Sequence, residues 1–116
     1  MKFTLIHPSR NRPTLAMDTI LKWTQRASAD ADYEYLISVD DDDPKYDLYH
    51  EWLHKIVGDR IKLHVNFNRS AIEAINKVVP YSTGDIFIVV SDDFECPYEW
   101  DKLLLANLYD KTDFVA

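Results

Sequence analysis

The sequence predicts an α/β fold, a mainly parallel sheet with helices on both faces, from three observations. Strand-like and helix-like patterns alternate along the chain with short connections, the order that builds a parallel sheet. The candidate strands Phe3–Ile6, Tyr35–Val39, Leu63–Phe67 and Ile86–Val90 each run into a polar or charged knot. If helices connect them, their carboxyl ends lie along one edge, where open α/β sheets bind ligands. Finally, 116 residues suit a single domain and, at this size, folding buries roughly two-thirds of the unfolded surface.

The first strand ends in His-Pro-Ser-Arg-Asn-Arg-Pro (7–13). A helix should start at Pro13, where a missing N–H costs nothing, and Ala16, Ile20, Trp23 and Ala27 then recur at helical spacing. The second strand ends in Asp40 to Asp43 and Pro44. A helix from about Asp47 repeats Leu48, Trp52 and Ile56, with Gly58 placed as a left-handed stop. The third strand ends in Asn68-Arg69-Ser70, and a helix from about Ser70 carries Ala71, Ile72, Ala74, Ile75, Val78 and Val79 until Pro80 closes it. Ile86–Val90 is a continuous apolar run between Gly84-Asp85 and Ser91-Asp92, as expected of a central strand covered on both faces. A last helix near Pro97 should bury Trp100, Leu103, Leu104 and Leu108, and Asp113 to Ala116 read as the entry to a further strand.

Composition narrows the function classes. With 13 Lys plus Arg against 20 Asp plus Glu and a net charge of -7, nucleic acid is not an expected partner. Acidic clusters can instead hold a divalent cation that in turn holds phosphate. Cys96 is the only cysteine, so neither an internal disulfide nor a thiolate zinc cluster can form, which suits a reducing compartment. There is no basic stretch followed by a long apolar run and no transmembrane-length segment, so the expectation is a cytoplasmic protein. Gly58 and Gly84 are the only glycines, which excludes the phosphate loop of nucleotide triphosphatases and the dinucleotide fingerprint.

The chemistry centres on Asp92 and Asp93. Two adjacent carboxylates after a buried strand offer hard oxygen ligands to Mn²⁺ or Mg²⁺, ions that accept one or two carboxylates plus substrate phosphates. The same pair could instead cap the following helix or make an ordinary turn. In the run Asp40 to Asp43, one of the first two can accept an imide N–H or ribose hydroxyls, while Asp42 and Asp43 read as a solvated loop. Arg10, Arg12 and Arg69 bring cations to the same edge, where guanidinium forks suit phosphate oxygens or stack on a base. Pairing with nearby aspartates is the alternative, as strong for Arg12 as ligand contact.

Other polar residues read as structural. His50 and His54 are four apart on a helix without the intervening carboxylate of a metalloprotease, so a surface or half-buried role is expected. His7 sits at the site edge and can simply pack under its loop. Cys96 fills a turn, and Trp23, Trp52 and Trp100 fall on helical stripes, with Trp100 the one whose ring could also meet a sugar.

In this order the residues resemble the nucleotide-binding half of a GT-A glycosyltransferase, especially the family 2 type that uses nucleotide-diphospho-sugars. The matching pieces are Phe3 to Ile6 with the Pro8-Ser9-Arg10-Asn11 loop, then Leu36 to Asp41, Asn68-Arg69 with Ala71 to Asn76, and Gly84 to Asp93. The likeness spans nearly the whole chain, residues 1–116, as one nucleotide-sugar-binding domain. It implies that Pro8, Ser9 and Arg10 line the nucleotide pocket, that Asp41 with Asp40 contacts uracil, and that Arg69 faces the nucleotide. It implies equally that Asp92 touches the ribose and that Asp93, the last acidic residue of the family's Asp-x-Asp motif, ligates the metal. Ser91 stands where many members have the first acidic residue, and Asp42-Asp43 replaces a common Gly-Ser.

Members of the family continue beyond the metal motif into acceptor-binding segments and, in inverting enzymes, a carboxylate general base. No such base can be assigned here, and the acceptor, whether glycan, lipid or protein, is not indicated. The resemblance implies binding of a UDP-linked sugar donor through a divalent metal. Two other readings are a metal-dependent nucleotidyltransferase, which would want a glycine-rich or basic triphosphate loop, and a noncatalytic interaction domain kept soluble by its acidic edge. Exposed sheet edges could also drive homo-oligomer formation.

Overall fold

The computed structural model describes residues 1–56 and 58–110. The side chains of 107–110, and with them Leu108, lie outside the described residues, as does the strand expected at 113–116. The elements alternate: β1 (Phe3–Ser9), α1 (Pro13–Arg26), β2 (Tyr33–Asp40), α2 (Tyr46–His54), β3 (Ile61–Asn66), α3 (Ala71–Val78) with a 3₁₀ turn at Val79–Tyr81, β4 (Ile86–Val89) and α4 (Trp100–Asp110). The strands lie in the order β3-β2-β1-β4, and every pairing is parallel. The expected α/β architecture is therefore present, and the carboxyl ends of all these strands share one edge.

Strand periodicity divides the side chains between two layers. Odd-numbered residues of β1 and β2, such as Phe3, Leu5, Tyr35 and Ile37, pack with α1, α2 and Trp100 in the main core. Ile6 and Leu36 point the other way and meet Val78 of α3. Trp100 is buried with its ring edge-on to Phe3, Trp23 and Tyr33, and its Nε1–H donates to the Trp23 carbonyl, so it is a core residue. Cys96 is buried against the same cluster, and burial pushes its thiol up.

Several expectations need correction. Ile86–Val90 is not the central strand: among the described residues β4 is at the sheet edge, and the centre is held by β1 and β2. Its inner face, Ile88 and Val90, is buried, but Phe87 and Val89 are exposed because α3 lies over β1 and β2. In α2 the buried residues are Tyr49 and Leu53, one position round from the expected stripe, and Leu48 is exposed. Gly58 does not adopt a left-handed conformation; the helix ends at Lys55 in right-handed geometry. α4 starts at Trp100, three residues later than Pro97, and leaves Leu103 exposed.

Other local signals hold. Pro13 opens α1, whose Ala16, Ile20 and Trp23 are buried. Ser70 caps α3 by accepting the Glu73 N–H. Gly84 fits against β1 so closely that a Cβ would sit 2.3 Å from Thr4 Oγ1 and 2.7 Å from its backbone nitrogen. Among the described residues no helix is long and apolar enough to cross a membrane.

Candidate functional site

The loops after β1, β2 and β3 enclose a cavity of about 440 Å³ at the carboxyl edge of the sheet. Pro8, Ser9, Arg10, Asp40, Asn68 and Arg69 contribute to its lining, with Ser38, Asp42 and the start of α3. That volume lies in the range of small-molecule sites, roughly 300–1,000 Å³.

Arg10 organises this edge. Its Nη1 donates to Asp40 Oδ2 at 2.6 Å and to Asp42 Oδ1 at 2.9 Å, and the bonds to Asp42 and Asp40 raise an already high guanidinium pKa. Asn68 Nδ2 donates to the other Asp40 oxygen at 2.8 Å, so Asp40 ties the ends of β1 and β3 together across β2. Asp42 is exposed, as the solvated-loop reading expects, and also contributes to the cavity wall. Asp43 corrects that reading: it is buried, its Oδ2 accepting the Asn11 N–H at 2.7 Å and its Oδ1 the Lys45 N–H at 2.8 Å. Asp41 is exposed beside the cavity, with its N–H on the Asn66 carbonyl.

The β1 loop has a second anchor that sequence reasoning missed. Tyr49 of α2 accepts the Arg12 N–H at 2.9 Å and shares a 2.7 Å bond with the Ser9 hydroxyl, and burial raises its phenol pKa. Asn11, between Arg10 and Arg12, has φ 58°, a left-handed conformation that asparagine tolerates well. Arg69 stands at the rim with its side chain 82% exposed and its Nε on Glu73 Oε2 at 3.2 Å.

Asp92 and Asp93 sit one strand further along, after β4 and outside the lining of that cavity. Asp92 is buried: its Oδ1 is 2.7 Å from His7 Nε2, and its carbonyl accepts the Thr19 hydroxyl at 2.6 Å. His7 Nδ1 lies 2.6 Å from the Tyr35 hydroxyl, whose pKa burial raises well above the ordinary value, with the Asp92 charge adding to the effect. A carboxylate oxygen only accepts, so every atom is satisfied when His7 carries its hydrogen on Nε2 and Tyr35 donates to Nδ1. His7 is thus the internal support of Asp92 rather than loop packing, a role no local motif signals. Asp93 is exposed; the Ser91 hydroxyl at 2.6 Å holds its carboxyl below the ordinary range, with the Arg12 charge contributing. His50 and His54 are exposed on α2 with rings stacked at 6.1 Å, away from this edge's bonds.

The structure thus brings Pro8, Ser9, Arg10, Asp40 and Arg69 to one cavity and sets Asp92 and Asp93 outside its lining, in the turn after β4. The same architecture occurs in known proteins. The fold matches the mannosyltransferase PcManGT from Pyrobaculum calidifontis, solved in complex with GDP-Man and Mn²⁺, with a TM-score of 0.73 and 17% identity over 92% of this chain and 31% of that one. It also matches TarS of S. aureus with a TM-score of 0.69 and 16% identity, over 95% of this chain and 20% of that one. The chain therefore spans about a third or less of these proteins, and at such identities the likeness speaks for the fold. No curated protein sequence matches significantly. Residues 4–116 match the family model described as Glycosyl transferase family 2, and on that match, which covers nearly the whole chain, the protein belongs to glycosyl transferase family 2.

Proposed function

We propose that the chain is the donor-binding part of a glycosyltransferase that takes a UDP-linked sugar, with a divalent cation, for transfer to an acceptor hydroxyl. The observation that carries this reading is the convergence at one sheet edge: Arg10 fixed between Asp40 and Asp42, with Asp92 and Asp93 just after the adjoining strand. The Mn²⁺ and GDP-Man bound by the Pyrobaculum mannosyltransferase support a nucleotide sugar and a metal in this fold.

The residues fit such an ion. Asp93 is exposed, and its lowered pKa keeps it charged at neutral pH, while Asp92 is oriented by His7. No group of three or more His, Cys, Asp or Glu among the described residues could hold a metal unaided. Mn²⁺ or Mg²⁺ needs only one or two carboxylates when diphosphate oxygens complete the shell. When bound, the ion would stabilise charge on the leaving diphosphate. Asp93 is the ligand in this scheme and Asp92 faces the ribose. Pro8, Ser9, Arg10 and Asp40 form the nucleotide wall, and Arg69 reaches over the rim, where its planar fork suits a base face or phosphate.

Titration calorimetry with UDP tests the reading. Binding that requires Mn²⁺ or Mg²⁺ is expected; absence of UDP binding with either ion would overturn it.

A further inference from the structure

The described residues contain four buried side-chain polar atoms with no partner: Trp23 Nε1, Ser38 Oγ, His64 Nε2 and Asn68 Oδ1. Ser38 and Asn68 are 1% and 7% exposed, and both line the cavity, whereas Trp23 and His64 do not. The orientation of the Asn68 carboxamide is fixed by its surroundings. Its Nδ2 faces two acceptors, Asp40 Oδ1 at 2.8 Å and the Asn66 carbonyl at 3.3 Å. Turning the amide over would set oxygen against oxygen, so Oδ1 must be the atom left without a donor. A buried acceptor without a donor is costly, and buried polar atoms in native proteins are nearly always satisfied.

A ligand with a hydrogen-bonding edge between flat apolar faces would satisfy both atoms. Pro8, Phe67, Ala71 and Ala74 supply apolar walls around them. Each oxygen of Asp40 already has a donor, from Arg10 and Asn68, whereas the carboxamide oxygen of Asn68 has none.

We infer that Asn68 Oδ1 and Ser38 Oγ read the nucleobase edge, the carboxamide oxygen accepting a ring N–H and the hydroxyl donating to the carbonyl beside it. The inference rests on the nucleotide-binding reading above and assigns it an imide or lactam base, of which uracil offers a single N–H flanked by carbonyls.

Calorimetry in the presence of Mn²⁺ with UDP and 3-methyl-UDP, on the wild-type chain and on Asn68→Ala and Ser38→Ala, tests it. Methylation should weaken wild-type binding roughly tenfold or more. In Asn68→Ala, UDP should bind as weakly as 3-methyl-UDP does to the wild type, with a remaining methylation effect under about threefold. Ser38→Ala should weaken both ligands alike. A methylation effect undiminished in Asn68→Ala overturns the inference, as does equal wild-type binding of UDP and 3-methyl-UDP, which needs no variant to fold. In either case the nucleotide reading survives. If GDP binds and UDP does not, GDP and 1-methyl-GDP are judged by the same criteria. Binding of neither nucleotide overturns both readings.

Discussion

Replacing His7 with phenylalanine tests whether the support of Asp92 is real. The substitution keeps a buried ring but removes the partner of the Tyr35 hydroxyl at 2.6 Å and of Asp92 Oδ1 at 2.7 Å. His7 and Tyr35 are fully buried and Asp92 nearly so, so water cannot readily take the place of the imidazole. Each buried polar group left alone costs about 1–3 kcal/mol, and His7→Phe should therefore lose about 2–5 kcal/mol of stability. Tyr35→Phe removes one of those orphaned groups. In that background His7→Phe should cost about 1–3 kcal/mol less than it does alone. Urea unfolding of the four proteins, with similar slopes so that midpoints report stability, measures the coupling. Additivity within about 0.5 kcal/mol would refute the idea that the hydroxyl and the imidazole act as one unit.

Asp43→Ala should cost about 2–4 kcal/mol in urea unfolding, because it strips the acceptor from two backbone N–H groups. Gly84→Ala should destabilise by about 1–3 kcal/mol in the same assay, since the added methyl meets the Thr4 backbone as well as its side chain. Burial pushes the Glu34 carboxyl up, but the Thr83 N–H, the Thr4 hydroxyl and Lys2 outweigh it and bring the pKa below the ordinary 4.5. A carboxyl with a lowered folded pKa stabilises above its unfolded value and loses that contribution as pH falls through the folded one. The urea midpoint should therefore drop between about pH 6 and pH 3, and drop less in Glu34→Gln. An equal drop in the variant would remove Glu34 from the cause.

The order of elements was legible because punctuation was strong. Pro13 opens α1, Ser70 caps α3, and each strand runs into its polar knot within a few residues of the expected place. Strand position within the sheet was not legible. Ile86 to Val90 is uniformly apolar yet, among the described residues, lies at the edge, while β2, inside the sheet, carries Glu34, Ser38 and Asp40, each buried with hydrogen-bond compensation or against the cavity. The α2 register failed because Leu48 and Trp52 outweigh Tyr49 in hydrophobicity, but the Tyr49 hydroxyl is what the β1 loop needs. In the site, Arg10, Asp40 and Arg69 were readable as charges at strand ends. His7, Asp43 and Asn68 were not, because their roles depend on partners 85, 32 and 28 residues away. Asn68 did carry one signal, as the first residue of the knot after β3.

In the proposed function, an ion at Asp93 joins a nucleotide diphosphate to this edge of the sheet. Calorimetric titration of UDP into the wild type and Asp93→Asn, each with Mn²⁺ and with chelator, bears on it most directly, since Asp93 is exposed and its replacement should leave the fold intact. Binding is expected in the wild type with Mn²⁺ alone, and its loss in chelator and in Asp93→Asn. Equal binding by the two proteins with Mn²⁺, or binding indifferent to chelator, would contradict the claim.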